Sequence, residues 1–307
     1  MKIENPVSND FWHAVAVKCP WATYFHTPAW AACMARTFPE YTVSGIGYIM
    51  EDGTRVVLPA VAREKKRLLS RKKDYKSMEP GVYGGFIAEK ILSQDATAIL
   101  SRYLLAMRSA AGRIVESPFQ PLHLSAPFTA KGMFTHVVDL GPEFESIAKR
   151  FSRGQKSNIN QGRRKGIAVR PALHVKDIEC YYDMYEKTVK RWGDKAAKPY
   201  PQELFFSLFL QKDPHVRFWL AELDGRVIAG AIVLSWNKNI IYWHGCALQE
   251  YFKCYPNNVL HAAILEWGCK NGFQFYDMGP SMELEGVVKF KESFGARKVS
   301  FKSYRWK

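Results

Sequence analysis

The sequence predicts a mixed α/β (α+β) protein made of two domains. Length is the first observation, because 307 residues exceed the size that one hydrophobic core usually serves, so two domains of about 150 residues are expected. The second observation is the change from helical to strand periodicity and back within residues 141–307. The third is a hairpin pattern that occurs once in each half of the chain.

Composition indicates a folded chain that favours anionic partners. Apolar residues make up 47% of the sequence, which is enough to fill two cores. The 44 Lys and Arg residues against 29 Asp and Glu residues give a formal net charge of +15. This charge favours phosphates, nucleic acid or an acidic membrane surface without choosing among them. Since the sequence has no apolar signal segment and no run that could span a bilayer, a cytoplasmic location is expected, with contact at the inner membrane face left open.

The order of elements is clearest in the second half of the chain. Apolar spacing predicts the helices, and β-branched and aromatic runs separated by turn signals predict the strands. In chain order these are a helix from Pro142 that continues into the basic stretch 153–166, helices at 177–192 and 204–209, strands at 216–222, 226–236 and 240–247, a helix at 256–271, a strand at 273–278, a helix at 287–294 and a strand at 299–306.

The first half contains the same hairpin pattern as the second. Tyr48–Leu58, with its Asp-Gly turn, matches Trp219–Ile228, and a long helix is predicted after it at 93–111. Because Asp-Gly hairpins are common, this match leaves duplication and coincidence both open. A boundary is predicted near residue 140, which gives domains at 1–140 and 141–307.

Several motifs together resemble one protein family. In order they are Thr27–Trp30, Gly84-Gly85, His136–Leu140, the basic run Lys156–Gly166, the helix that begins at Pro256, Tyr276–Gly279 and Phe290–Gly295. The chain resembles the FemAB-like double-GNAT acyltransferases, which include enzymes that add amino acids to peptidoglycan precursors. The resemblance implies two tandem GNAT-like domains with mixed central sheets flanked by helices. The first would be a degenerate domain on the acceptor side, and the second the donor and catalytic domain.

The resemblance also bears on the length of one connection. Some members carry a long coiled-coil arm between two helices of the second domain. In this chain only residues 193–201 separate the corresponding helices, so it resembles the armless form.

Three titratable residues are candidates for catalysis. The resemblance assigns Lys291, in the motif F-K-x-x-F-G, to stabilising the negative charge that grows on a carbonyl oxygen during attack by an amine, with a solvated side chain as the alternative. Asp277, at the end of a predicted buried strand, is the candidate for accepting the proton of the amine, or else for fixing the Gly-Pro turn that follows. His244 is the reserve base, and packing in the core is the alternative for it.

Eight residues are candidates for substrate binding, namely Tyr83, Gly84, Gly85, Arg163, Arg164, Asn257, Asn258 and Tyr276. The glycines would let a substrate approach the backbone closely, although a β-bulge shows the same pattern. The arginines are predicted to hold a phosphorylated donor or acceptor, or to form a solvated helix face. The asparagines stand at a helix start, where backbone N–H groups attract phosphate, and capping alone is the alternative.

The donor is harder to predict because residues 249–258 depart from the family pattern. GNAT domains that bind CoA carry a glycine-rich turn there, whereas Gln249–Asn258 contains no glycine. The predicted donor is acyl-CoA, with aminoacyl-tRNA as the alternative, and the predicted acceptor is an amino group of a cell-envelope or sugar-nucleotide precursor. Since no cysteine or serine lies in a nucleophile motif and no metal-ligand spacing occurs, direct transfer without a metal is expected.

A second function class is also open. The run Arg63–Lys76 is a further basic cluster, suited to tRNA, nucleotide phosphates or anionic lipid, or else a mobile solvated loop. A non-catalytic protein that binds RNA or an anionic membrane is therefore the alternative to an enzyme. No stable DNA partner is expected, because the basic segments show no DNA-binding fold signature. Glu283 and Glu285 are predicted to form a solvated face.

Overall fold

The computed structural model describes residues 1–67, 70–78, 81–106, 109–193, 199–281 and 284–306. The chain divides into two units, of which the first is Met1–Thr135 with Val299–Lys307 and the second is His136–Lys298. This division differs from the predicted one mainly at the C terminus. The last strand pairs with a strand of the first unit through Ser303–Trp306, although sequence order had assigned it to the second domain.

The described part of the first unit contains three α-helices and two sheets. Its elements are α1 (Asn9–Lys18), α2 (Pro28–Thr37), α3 (Gln94–Ala106), β1 (Lys2–Glu4), β2 (Thr42–Val43), β3 (Ile46–Ile49), β4 (Arg55–Leu58), β5 (Val61–Arg67), β6 (Ser70–Ser77), β7 (Ile87–Ala88), β8 (Ser109–Val115) and most of β15 (Arg297–Trp306). One sheet has the order β1-β3-β4-β7 and is antiparallel. The other sheet has the order β15-β8-β6-β5-β2 in this unit. Of these strand pairs, β6–β8 is parallel and the rest are antiparallel.

Side-chain caps explain where the first two helices begin. The hydroxyl of Ser8 accepts a hydrogen bond from Phe11 N at 3.4 Å, and that of Thr27 accepts one from Trp30 N at 3.2 Å. Pro28 follows Thr27 at the first helical position, where its missing N–H leaves no hydrogen bond unmade. Both helices bury tryptophan, with Trp12 and Trp30 fully inaccessible in the core.

The second unit is a mixed sheet with helices on both faces. After β9 (Thr129–Asp139), which leads into this unit, its elements are α4 (Phe144–Lys149), α5 (Arg153–Arg164), β10 (Ala168–Pro171), α6 (Val175–Trp192), α7 (Gln202–Leu210), β11 (Val216–Leu223), β12 (Arg226–Trp236), β13 (Asn239–Ala247), α8 (Pro256–Lys270), β14 (Phe275–Pro280) and α9 (Glu285–Glu292). The order β10-β11-β12-β13-β14 is antiparallel except for the parallel β13–β14 pair.

The two faces of this sheet carry different helices. Ala229 and Ala231 of β12 pack in one core cluster with Val259 and Leu260 of α8. Gly230 lies between them in sequence and faces the other way, where a side chain would meet the ring of Tyr181 of α6 at 2.7 Å. This alternation is expected of a strand that is buried on both faces.

The predicted meander is confirmed as β11, β12 and β13. Asp224 and Gly225 both have positive φ, at 50° and 75°, which is the geometry of a tight type I′ turn and explains the Asp-Gly preference there. Further along, Pro256 begins α8 and Gly272, with φ of 72°, follows its end, as predicted.

Two predicted helices end differently from expectation. The helix from Pro142 does not continue into the basic run, because α5 starts anew at Ser152, whose Oγ accepts from Gln155 N at 3.1 Å. The helix predicted to reach residue 111 ends at Ala106, and Ser109–Val115 forms β8 instead. Here strand pairing wins over helix propensity, since Ser109–Val115 pairs with β6 on one side and with β15 on the other.

Candidate active site

Two parallel strands of the second unit separate and leave a wedge between them. β13 and β14 pair only where Asn239–Ile241 meets Phe275–Asp277. β13 then runs on to Ala247 while β14 ends at Pro280. The later residues of β13 lie outside this parallel register and border the wedge.

A bulge in β13 decides which side chains enter the wedge. The register with β12 shifts between Ile232 and Val233, which leaves Trp243 as the extra residue. As a result, Tyr242 and His244 turn to opposite faces. The Tyr242 ring lies 4.7 Å from that of His261 on α8, whereas the His244 ring lies 4.6 Å from that of Tyr185 on α6.

The wedge contains a cavity of about 220 Å³. Its lining comes from α6, β13, α8, β14 and α9, together with the connection between β13 and α8. The lining residues are Thr188, Arg191, Trp192, Tyr242, Gly245, Cys246, Ala247, Phe252, Asn257, His261, Met278, Val287, Phe290 and Lys291. The cavity is therefore mostly apolar, with a few polar groups that converge on it, which is the usual character of a small-molecule site.

Lys291 is the buried cation of this cavity. Only 5% of the residue is exposed, and its Nζ donates hydrogen bonds to Gly279 O at 2.6 Å and Pro280 O at 3.1 Å. Burial lowers the pKa of the Lys291 ammonium to about 8, while the nearby carboxylate of Asp277 acts in the opposite direction. The alternative of a solvated lysine is therefore wrong, and the side chain lines the cavity.

Asp277 stabilises the turn that holds Lys291. Its side chain is fully buried, and Oδ1 accepts a hydrogen bond from Gly279 N at 2.8 Å. Gly279 has φ of 72°, a conformation that glycine adopts without strain, and its carbonyl is one of the two that accept from Lys291. This geometry favours the turn-fixing interpretation of Asp277. Met278 belongs to the lining residues of the cavity that the structure describes, and Asp277 does not.

His244 packs on the opposite face of the sheet from Lys291. Its Nδ1 lies 2.7 Å from the hydroxyl of Tyr181, and the rings of Tyr185 and Phe205 surround it. Burial lowers the pKa of His244 to about 3, so the imidazole is neutral and embedded among aromatic rings. The structure gives His244 the packing role that was the alternative to a reserve base.

The helix start at Pro256 contributes one of its two asparagines to the cavity. Asn257 is a lining residue, whereas Asn258 is 8% exposed and its Nδ2 donates to Gln155 Oε1 of α5 at 2.9 Å. The same oxygen accepts from Ser293 Oγ at 3.0 Å. Asn258 thus joins α8 to α5, a structural role in place of the predicted substrate contact.

The connection between β13 and α8 is a 3₁₀ helix, Gln249–Cys254. Two N–H groups in and directly after this helix donate locally, Tyr251 N to Leu248 O at 3.1 Å and Tyr255 N to Phe252 O at 3.0 Å. A glycine-rich turn in this place would direct such groups at a phosphate. The absence of glycine noted in the sequence therefore corresponds to a different backbone structure.

Arg163 and Arg164 are both exposed on α5. Arg163 lines a separate cavity of about 340 Å³ beside α4, and none of the described residues that line it also lines the cavity of Lys291. Its Nη2 lies 3.9 Å from Glu266 Oε2. The two arginines thus form the solvated helix face that was the alternative to phosphate binding at the reacting centre.

Tyr276 and His261 form a buried pair. Of the two, only Tyr276 was a candidate site residue from the sequence. Tyr276 is fully buried, and its hydroxyl lies 2.8 Å from Nδ1 of His261. Burial and the charge of Lys291 lower the pKa of His261 to about 3. Since His261 rather than Tyr276 lines the cavity, the predicted substrate contact of Tyr276 is indirect. The missed signal was one histidine at i+4 from Asn257 in a largely apolar helix.

The glycine-rich segment of the first unit is a packing junction. Tyr83 is fully buried between Phe25 and Phe301. Gly84 N donates to Val115 O at 2.6 Å, and Gly85 N donates to Ser77 Oγ at 2.8 Å. These glycines thus allow backbone segments to approach one another, and the predicted substrate contact at Tyr83, Gly84 and Gly85 is replaced by core packing.

Substitution of Gly84 by alanine is expected to destabilise the protein by about 1–3 kcal/mol, the usual cost of overpacking a core. The added Cβ would lie 2.1 Å from the backbone oxygen of Ser77, which belongs to β6 and has no room to retreat. Urea-induced unfolding measures the difference. Gly132→Ala is the matched control, because nothing lies within 4 Å of a Cβ there. Wild-type stability of Gly84→Ala combined with a weaker acceptor affinity would restore the substrate-binding interpretation.

The second basic run forms structure rather than a loop in its described part. Val61–Arg67 and Ser70–Ser77 are the antiparallel strands β5 and β6. Leu68, Leu69 and the predicted Glu283 lie outside the described residues, and so does Glu79 at the start of the glycine-rich segment. Glu285 begins α9, is exposed, and lies 2.6 Å from Lys289, in agreement with the solvated face.

The described residues contain neither a metal-ligand cluster nor a helix that could span a membrane. No cluster of three or more His, Cys, Asp or Glu side chains has the arrangement needed to hold a metal ion. No helix in the same ranges combines the length and apolar character that crossing a bilayer requires.

Known proteins match the second unit in sequence and the whole chain in fold. Residues 150–292 match the family described as acetyltransferase (GNAT) domain. The crystal structure of FemX is similar with a TM-score of 0.74 at 13% identity, over 98% of this chain and 97% of that chain. No protein with a curated description matches the sequence.

Two further structures share the fold. The C-terminal domain of a putative lysylphosphatidylglycerol synthetase from Agrobacterium fabrum gives a TM-score of 0.58 at 12% identity, over 97% of this chain and 92% of that chain. A tandem GNAT protein from the clavulanic acid biosynthesis pathway gives a TM-score of 0.52 at 10% identity, over 99% of this chain and 98% of that chain.

The matched family region contains the whole cavity, from Thr188 to Lys291. The prediction of an enzyme is therefore confirmed over the non-catalytic alternative, and so is the prediction of tandem GNAT-like domains with mixed sheets flanked by helices. The domain match and the double-GNAT structures together show a GNAT acetyltransferase domain at residues 150–292, in a chain that has the double-domain fold of FemX.

Proposed function

We propose that the protein transfers an acyl group from an activated donor directly to a primary amine, and that Lys291 stabilises the carbonyl oxygen during attack. The observation that carries this proposal is a buried ammonium group on a cavity of about 220 Å³. Two of its three N–H groups point to Gly279 O and Pro280 O. No third acceptor for Nζ occurs among the described residues, and we propose that the remaining N–H group serves a ligand in the cavity.

The proposed reaction requires no covalent enzyme intermediate. The lone pair of the neutral amine attacks the carbonyl carbon, a C–N bond forms, and the π electrons move to the oxygen, where the Lys291 ammonium stabilises the negative charge. Collapse restores the C=O bond and breaks the bond to sulfur or oxygen, whose electron pair leaves with the departing group. The nitrogen loses a proton to water, and the departing group gains one. A fixed cation in an apolar site is worth far more to this charge than the same cation in water.

Asp277 has a supporting part in this proposal. Its carboxylate accepts from Gly279 N and raises the pKa of Lys291, so it favours the ammonium form and fixes the carbonyl that orients it. We therefore assign to Asp277 the positioning of Lys291. The proton of the attacking amine goes directly to water.

We propose acyl-CoA as the donor. The part of β13 beyond its register with β14 borders the cavity and suits an extended pantetheine arm, whose amides form backbone-like hydrogen bonds. Positive charge for the phosphates is present nearby. Arg191 on the cavity donates to Ala247 O at 3.2 Å, and Lys165 donates to Lys253 O at 2.7 Å beside the start of α8.

One observation favours aminoacyl-tRNA as a second candidate donor. Two N–H groups in and directly after the 3₁₀ helix Gln249–Cys254 donate locally, and the segment offers no glycine cradle to a pyrophosphate. A donor whose ester lies at the end of a nucleic acid needs no such cradle, because its phosphates extend over a larger basic surface. For either donor we propose an acceptor amine on a cell-envelope or sugar-nucleotide precursor, whose phosphates suit a chain of net charge +15.

Ligand-induced stabilisation tests the choice of donor. We expect acetyl-CoA to raise the melting temperature in a concentration-dependent manner, with about 2.7 kcal/mol of stabilisation when the ligand is at 100 times its dissociation constant. Aminoacylated tRNA and a nucleotide-sugar precursor are the parallel samples, and uncharged tRNA controls for non-specific binding. Stabilisation and turnover with charged tRNA alone would select the second donor, and no response to any activated acyl compound would contradict the proposed reaction.

A further inference from the structure

His261 is a second polar group of the Lys291 cavity that faces the same enclosed space. It lies in the second turn of α8 and is 4% exposed. Its ring is held at 4.7 Å from the ring of Tyr242, 5.5 Å from that of Phe290 and 5.6 Å from that of Phe294. Packing on both sides leaves the imidazole little freedom to rotate.

Tyr276 determines which nitrogen of His261 carries the proton. The Tyr276 hydroxyl is fully buried, lies 2.8 Å from His261 Nδ1, and keeps its proton because burial raises its pKa. A buried O–H group needs an acceptor, and of the described groups Nδ1 is the one that the geometry offers. If Nδ1 accepts this hydrogen bond in a neutral imidazole, the proton must be on Nε2.

The Nε2–H group then points away from Tyr276. The two ring nitrogens of imidazole direct their bonds to roughly opposite sides. Among the described residues Nε2 has no hydrogen-bond partner, and the residue lines the cavity with Lys291. The positive charge of Lys291 is near enough to influence the His261 ring, so the two donors share one small space.

We propose that His261, fixed as the Nε2–H tautomer by Tyr276, donates a second hydrogen bond to the carbonyl oxygen of the acyl donor, beside Lys291. This inference rests on the proposed acyl transfer and adds an uncharged hydrogen-bond donor to the site. His261 neither gains nor loses a proton during the reaction. It stabilises the oxygen while the C–N bond forms and the bond to the departing group breaks, as paired donors of an oxyanion hole do.

Kinetics of matched variants test the role of His261. In His261→Phe the ring packing is kept but the donor is lost, and we expect kcat to fall about 100-fold, with a smaller change in the donor KM. His261→Gln keeps an N–H group near the position of Nε2 and should recover most of that loss. Tyr276→Phe removes only the group that fixes the tautomer, so its kcat should fall between that of the wild type and that of His261→Phe. Near-ultraviolet circular dichroism verifies that each variant is folded.

Nitrogen NMR tests the tautomer without any substrate. Protein labelled with ¹⁵N-histidine should show His261 as the Nε2–H form, assigned by the loss of its signals in His261→Gln, and Tyr276→Phe should shift it towards a mixture. A Nδ1–H form in the wild type would overturn the inference, and so would unimpaired turnover of His261→Phe in an assay where the wild type is active. If the wild type transfers no acyl group, the proposed function fails instead, and the tautomer assignment is still decided by the spectra.

Discussion

Replacement of Lys291 by alanine is expected to lower kcat for acyl transfer by at least about 100-fold, the effect of removing one donor from an oxyanion site. The substitution removes the only described cation among the lining residues whose side chain is buried, since Arg191 is exposed. It also leaves Gly279 O and Pro280 O without their donor. Turnover with the best donor, measured well below the melting temperature, reports the chemical effect apart from any loss of stability.

Two further variants make this result specific. Lys289→Ala is the matched control, because Lys289 lies on the same helix, is exposed and pairs with Glu285 at 2.6 Å, so its loss should leave turnover unchanged. Lys291→Gln keeps hydrogen-bond donors for the two carbonyls but has no charge. Full activity of Lys291→Gln would show that orientation matters and charge does not, and full activity of Lys291→Ala would exclude the proposed role of Lys291.

The value of kcat/KM is expected to fall as the pH rises above about 8, tenfold per unit, because each unit above a pKa lowers the protonated fraction tenfold. The direction of this pH dependence follows from the lowered pKa of Lys291. Burial lowers the Lys291 pKa to about 8, so the ammonium form predominates below that pH and the neutral amine above it. If the ammonium is the active form, its deprotonation causes the decrease in kcat/KM at high pH. An increase in kcat/KM at lower pH is caused by deprotonation of the acceptor amine, which must be neutral to attack.

Comparison of pH profiles assigns the falling limb. Lys289→Ala should keep it, because Lys289 is exposed on the surface of α9. Lys291→Arg retains a charge at every accessible pH, so its residual activity should lack the limb. An increase in kcat/KM through pH 8 that disappears in Lys291→Arg would instead mean that neutral Lys291 accepts the proton of the attacking amine.

Local signals predicted most of the second unit. The Asp224-Gly225 turn needs two residues with positive φ, and few sequences other than Asp-Gly or Asn-Gly supply them. Pro256 and Gly272 mark the ends of α8 for equally local reasons. The break before α5 was missed, although Ser152 is a typical cap, because the basic stretch was predicted to continue the preceding helix.

Long-range packing accounts for what the sequence did not predict. The C-terminal strand joins the first unit through pairing with β8, which is distant in sequence. Gly84 and Gly85 were interpreted as a substrate surface because glycine allows close approach, but the partner that approaches is the strand of Ser77. His244 and His261 both lie in largely apolar stretches of the sequence, and the bulge at Trp243 together with helix packing decides which of them reaches the cavity.

The sequence by itself determined the fold class and the meander with its turns, and the family resemblance of one short motif made Lys291 a candidate, since each depends on neighbouring residues. Only the tertiary structure decided that Lys291 is buried with a lowered pKa, that Asp277 supports it, and that His261 joins it while Arg163, Arg164 and Tyr83 do not. The physical reason is that burial, and with it the pKa and hydrogen bonding of a side chain, is produced by residues far apart in the chain.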